Sequence, residues 1–188
     1  IYSNTSTAGL GAGVRSEGGS VTMTHVTLAH NISGAGYSQS HTEGRAVNSI
    51  AWGNDSGGFW VTSGNLAGTC SLDQTGTAGP KLDPQFVSPG DEDYHPRWGS
   101  PAIDRCASGL ADDLETVTRP INGAYDAGAY EYPYAVALAP AQTTETVYAD
   151  QSYSFDCTLA NAGHYTDIFT PSLAASRGWC TLVTSGPM

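Results

Sequence analysis

Charge is scarce in this chain, and positive charge scarcest: of 188 residues only 13% are charged, with 7 Lys and Arg against 18 Asp and Glu. Neither a basic patch nor an interleaving of aromatic with basic residues is present, so nucleic acid and anionic membrane surfaces are excluded as expected partners. No apolar run approaches the roughly 20 residues that a membrane-spanning helix needs, so no span is expected. Residue 1 is Ile rather than Met and no signal-peptide pattern precedes it, which points to a mature product or an excerpt. What is abundant is glycine, 23 residues, together with Ser and Thr. That composition is unlike a helical cytosolic enzyme and suits an all-β, secreted protein. The acidity is uneven: residues 80 to 135 carry 10 of the 18 acidic groups.

Residues 1 to 79 contain an irregular repeat. Tyr2-Ser3-Asn4, Ala29-His30-Asn31 and Trp52-Gly53-Asn54 each close a short β-prone run, at offsets of 27 and 23 residues. Periods of that size suggest a solenoid. Gly13-Val14-Arg15, Ser20 to Thr24, Val26-Thr27-Leu28 and Val47 to Trp52 read as brief strands, too short for a sandwich. In a parallel β-helix such strands stack about 4.8 Å apart and bury an inward row of small or aliphatic side chains. Val26 with Leu28, and Ile50 with Trp52, are the expected inward pairs. Asn4, Asn31 and Asn54 at the repeated turn would stack as an amide ladder. The same three match the glycosylation acceptor pattern, in Asn4-Thr5-Ser6, Asn31-Ile32-Ser33 and Asn54-Asp55-Ser56.

From residue 82 to 132, proline and glycine recur every few residues, so neither a long helix nor a long strand runs through, and short apolar groups must dock one by one. That is the pattern of a closing segment. Gly11 to Val14, Gly19 to Asn31 and Asn48 to Asn54 resemble rungs of pectin-lyase-like right-handed β-helices. Leu82-Asp83-Pro84-Gln85-Phe86, Asp93-Tyr94-His95, Gly99 to Asp104, Arg119-Pro120 and Tyr125 to Tyr132 are similar to the closing region of choice-of-anchor Q domain surface proteins. The resemblance implies a right-handed solenoid end over 1-79, a cap over 80-133, and a large exported bacterial protein displayed at or released from the cell surface. Ala111 to Thr118 lacks the glycine-bearing acidic turn usual before the Arg-Pro pair, so the resemblance does not extend to a calcium-like loop there.

From Tyr134 the pattern changes to period-two alternation, in Val136 to Pro140, Thr146-Val147-Tyr148, Tyr153 to Leu159 and Trp179 to Val183. With the turn Asn161-Ala162-Gly163 it is similar to Ig-like modules appended to bacterial surface proteins. Such a sandwich needs about 100 residues, so 134-188 is expected to be a partial β-sandwich, through truncation or through an edge completed by another chain.

Four cysteines allow three pairings. Locality favours Cys70 with Cys106 and Cys157 with Cys180, as expected in an oxidising compartment; buried free thiols are the alternative. No cysteine carries a nucleophile signature.

Candidate chemistry is sparse. A polysaccharide lyase on this scaffold needs a base beside a neutralised uronate carboxylate, and Arg15 and Arg45 could face one groove, although solvated edge charges explain them better. Glu17 and Glu43 would serve as a glycosidase pair only by coincidence. His25 and His30, five residues apart, are expected on opposite faces of a strand. Asp91-Glu92-Asp93 could hold a structural Ca2+ but reads better as a solvated turn. Arg119 is expected to pair with Asp104 or Asp126 to fix the cap. Trp52, Phe59, Trp60 and Trp98 would form a sugar-stacking strip or pack in the core and cap. No catalytic residue, resident cofactor or metal ligand is assigned.

The expectation is therefore a non-catalytic, extracellular or cell-surface structural or adhesion protein, with glycans or other surface proteins as partners. The alternatives are a polysaccharide-active β-helix with its active rungs upstream, and a homo-oligomer or filament subunit assembled through open β edges.

Overall fold

A computed structural model describes residues 1–7, 10–121 and 123–132, and the backbone of 136–140 and 157–161. The chain divides into two compact units, Ile1–Tyr132 and Pro133–Met188. No α-helix occurs among the described residues, and hence none long and apolar enough to cross a membrane.

The first unit is built on three repeats of three strands: β1 Val14–Glu17, β2 Ser20–Thr24 and β3 Thr27–Ala29; β4 Tyr37–Ser40, β5 Thr42–Val47 and β6 Ile50–Trp52; β7 Phe59–Val61, β8 Gly64–Thr69 and β9 Leu72–Asp73. Each strand pairs in parallel with the equivalent strand of the next repeat, giving sheets β1-β4-β7, β2-β5-β8 and β3-β6-β9. Tyr2 and Thr5 add parallel bridges to Ala29 and Ile32.

Between strands the backbone turns through left-handed residues that fall in register. Ser3, His30 and Gly53 stack at one corner, and His25, Asn48 and Cys70 at another, all with positive φ. The left-handed region disfavours most L-residues, and Asn and His enter it more readily than the rest. The run Val47 to Trp52, expected as one strand, is therefore broken at Asn48, with φ 50°. Several strands have little β-propensity, as in Tyr37-Ser38-Gln39-Ser40 or Gly64-Asn65-Leu66-Ala67-Gly68-Thr69. Stacking on neighbours holds them in the sheet.

Two apolar clusters result. One gathers side chains from all three sheets: Met23 and Ala46, Leu28 and Ala51, Tyr37 and Phe59, with Ala78 from the following loop. The loop is tied by Asp73, whose buried carboxylate accepts N–H bonds from Phe59 at 3.3 Å, Thr75 at 3.0 Å, Thr77 at 2.6 Å and Ala78 at 3.0 Å.

The second cluster lies on the other face of β3-β6-β9. Ala29, Ile50 and Leu72 pack there with Phe86, Tyr94, Ala102, Cys106 and Ala127, and Trp52 flanks them. This corrects the expected inward pair Ile50 and Trp52. Leu28 is opposite Ala51, while Ile50 is opposite Thr27 and Trp52 opposite Ala29, so Ile50 and Trp52 face the closing segment. Residues 80–132 thus cover a sheet face. Within them, β10 Phe86–Ser88 and β11 Asp93–Pro96 pair antiparallel around a 3-10 turn, Pro89–Asp91. A Cys70–Cys106 disulfide, with Cα atoms 5.7 Å apart, joins the segment to the end of β8.

In the second unit, β12 Val136–Pro140 pairs antiparallel with β13 Cys157–Asn161. The expected Cys157–Cys180 pairing and the turn after Asn161 lie outside the described residues.

Candidate functional site

The densest assembly of ionisable groups sits where the closing segment meets the corner carrying His25. Strand β3 is flanked by two left-handed corner residues, His25 and His30, and this displaces the expectation that they point to opposite faces. The strand-parity argument fails because neither residue is in the strand, and both meet the closing segment: His30 lies edge-on to Tyr94, and His25 lies against Arg119 and Tyr125.

Arg119 is fully buried. Its Nη1 is 2.5 Å from His25 Nδ1 and donates to Asp126 O at 3.1 Å, while Nη2 donates to Gly128 O at 3.0 Å. Its ion-pair partner is Glu131, at 3.3 Å and equally buried, not Asp104 or Asp126 as expected. The carboxylate of Asp126 is already engaged by backbone: Oδ1 accepts from Asp104 N at 2.7 Å and Oδ2 from Tyr132 N at 2.5 Å. Glu131 is similarly occupied, accepting from Ile121 N at 2.9 Å and Asp126 N at 3.1 Å. Asp113 shapes the loop before Arg119, taking the N–H groups of Glu115, Val117 and Glu131.

Burial sets the protonation of these groups. It lowers His25 to about 4, helped by the Arg119 charge, against acceptor carbonyls that favour the proton. It raises Asp126 to about 7, against the two N–H groups that favour its charged form. Burial also raises Glu131 and lowers Arg119, while Glu131, Asp113 and Asp126 work to keep the guanidinium charged.

A second constellation lies on β11. His95 Nδ1 is 2.6 Å from Asp93 Oδ1, its Nε2 is 3.3 Å from Glu115 Oε2, and its ring stacks on Tyr130 with centroids 3.9 Å apart. Asp91, Glu92 and Asp93 do not converge on a common point: Asp91 accepts from Ser88 Oγ, Glu92 takes a left-handed backbone, and Asp93 serves His95. Among the described residues, no group of three or more His, Cys, Asp or Glu could hold a metal ion.

The asparagines at the repeated turn are linked in series. Asn4 N and Nδ2 donate to Asn31 Oδ1 at 3.1 and 3.0 Å, and Asn31 N and Nδ2 donate to Asn54 Oδ1 at 3.0 and 2.7 Å. Asn54 N continues to Gln74 Oε1 at 2.9 Å. Asn31 and Asn54 are buried, and Asn4 is exposed. A parallel row joins Val26 N to Ser49 Oγ and Ser49 N to Ser71 Oγ.

The remaining candidates disperse. Arg15 is on β1 and Arg45 on β5, in different sheets, and Arg15 pairs with Glu17. Phe59 belongs to the inner core and Trp52 packs beside the outer cluster, leaving Trp60 and Trp98 exposed at 52% and 69%. Sequence reasoning missed Glu131, Gln74 and Asp73. For Glu131 the available signal was an acid inside a glycine-rich apolar stretch that holds few cations. Gln74 lies 20 residues after Asn54, continuing the spacing with a longer amide.

The fold and this cluster define an all-β protein of stacked parallel strands with a buried ionic fastening. Compared with known proteins, the chain matches no family model, no curated protein and no solved structure.

Proposed function

We propose that this is a non-catalytic secreted or cell-surface protein, used for display or adhesion. In this reading residues 1-79 are the end rungs of a right-handed parallel β-helix, 80-133 its closing segment, and 134-188 part of an Ig-like module. The observation that carries it is the state of the His25–Arg119–Asp126–Glu131 cluster. A general acid or nucleophile must reach a substrate within hydrogen-bond distance, whereas these carboxylates are buried and saturated by backbone N–H groups and one guanidinium. Stacked strands tied by amide and hydroxyl ladders supply a firmly cross-linked scaffold, which suits display. In a polysaccharide-active reading the reacting groups would not be this buried cluster. The partners we propose are glycans or other surface proteins. The test is binding of the whole chain to a glycan array and to immobilised surface proteins: retention without chemical change of the ligand supports the reading, and a modified ligand contradicts it.

A second reading, a filament or oligomer built through open β edges, is favoured by one observation. Strand β8 ends its sheet, is largely exposed, and carries neither charge nor proline, the usual protections of an edge. Sedimentation at rising concentration tests it. Self-association abolished by Ala67→Lys supports the reading, and a monomer at all concentrations removes it.

A further inference from the structure

We propose that the closing segment is latched to the sheets by the neutral imidazole of His25, and that protonation of this ring releases the segment, which lifts as a unit about the Cys70–Cys106 disulfide.

The geometry opposes a charged ring. Nδ1 faces Arg119 Nη1 at 2.5 Å, and Nε2 faces the amide nitrogen of Asn48 at 2.9 Å, itself a donor to Ser108 O at 2.6 Å. Both ring nitrogens lie beside donors: a neutral ring accepts from one of them, a protonated ring accepts from neither, and Gly128 O, 3.3 Å from Nδ1, is the acceptor left to it. A second positive charge in contact with a buried guanidinium, in a space closed to water, is strongly repelled. The charged and titratable groups around the ring are Arg119, Tyr125 and Asp126, with Glu131 and Asp113 behind Arg119. On the sheet side the flanking corner residues are Asn48 and the disulfide-bonded Cys70, which do not titrate.

The other polar ties across this boundary are few: Gly128 N to Asn48 O at 2.8 Å and Ala129 N to Thr27 Oγ1 at 2.9 Å lie beside the ring. By contrast the ties of Asp126 and Glu131 run to Asp104, Arg119, Ile121 and Tyr132, all within the closing segment. Lifting the segment whole exposes His25 to water and leaves the carboxylate nest intact. The proton count of the motion is then one, taken up by His25. Linkage makes opening about tenfold more favourable per pH unit, from the ordinary histidine value near 6.5 down to about 4.

The test is hydrogen exchange of the whole chain between pH 7 and 4, normalised for the pH dependence of intrinsic exchange. The amides of Gly128 and Ala129, which donate across the boundary to Asn48 O and Thr27 Oγ1, should lose protection about tenfold per pH unit below 6.5, while those of β4, β5 and β8 hold theirs. His25→Asn, which suits a backbone at φ 52°, should flatten that dependence. A wild-type segment whose protection is independent of pH overturns the latch, as does a folded His25→Asn variant that keeps the wild-type slope. Should that variant not fold, nitrogen-15 histidine titration of the wild type decides: a ring protonating well below 6.5 supports the proposal, and one protonating near 6.5 in the closed state overturns it.

Discussion

Asn54 illustrates what a single residue does in this repeat. Its Oδ1 takes both donors of Asn31, and its Nδ2 donates to Leu28 O at 3.0 Å. Asn54→Ala would strand these buried groups, each costing about 1–3 kcal/mol, whereas Asn4→Ala removes an exposed amide and should cost well under that. Urea unfolding of the two variants should rank them in that order, and equal losses would remove the ladder from the stability account. Arg119 makes the same argument with charge. Replacing it by Met leaves Glu131 buried without its cation, a loss of about 3–5 kcal/mol. The double change Arg119→Met with Glu131→Gln should recover part of that, as read from the same unfolding curves. The asparagine spacing was readable in the sequence because a repeated turn repeats its residue. Arg119's partner was not, since three acids of similar local context surround it and only the folded loop selects Glu131.

At the level of elements, the sheet β3-β6-β9 is the centre of the first unit because both its faces are buried. Fully burying one side chain of the size of Leu28 contributes about 1.5–3 kcal/mol. A sheet covered on two sides loses the alternation that marks one face as inward. That is why Ile50 and Trp52 were misplaced while the strand Ser20 to Thr24, with one exposed face, was legible with its bounds. The polar strands β4 and β8 had almost no local signal, since their stability comes from neighbours above and below. The loop after β9 closes the inner core through Ala78. A Cβ at Gly68 would come 1.6 Å from Ala78 O, while one at Gly90 meets nothing within 4 Å. Gly68→Ala is expected to cost about 1–3 kcal/mol through this clash, and Gly90→Ala to be nearly neutral. Thermal unfolding separates them. Replacing both Cys70 and Cys106 by Ala should lower stability by about 3–4 kcal/mol, from the 36-residue separation the disulfide spans.

For the whole molecule, two buried groups set opposite pH dependences on global unfolding. His25 has a folded pKa of about 4, below the ordinary 6.5, so its contribution is complete above 6.5 and is lost as pH falls toward 4. Asp126 is raised from 3.8 to about 7, so its contribution is present at acid pH and is lost as pH rises through 7. Between about 4 and 6.5 the two offset, and wild-type stability should owe little pH dependence to this pair. His25→Asn leaves Asp126 alone and should make the protein more stable as pH falls across that window. Chemical denaturation at a series of pH values checks the sign. The central functional claim is that the buried cluster fastens a cover and reacts with nothing. Its most direct test is to incubate the whole chain with a panel of soluble polysaccharides and follow new reducing ends and unsaturated uronates. The account predicts no product above the blank, whether or not the glycan binds. Turnover that is abolished by Glu131→Gln in a folded protein would contradict it.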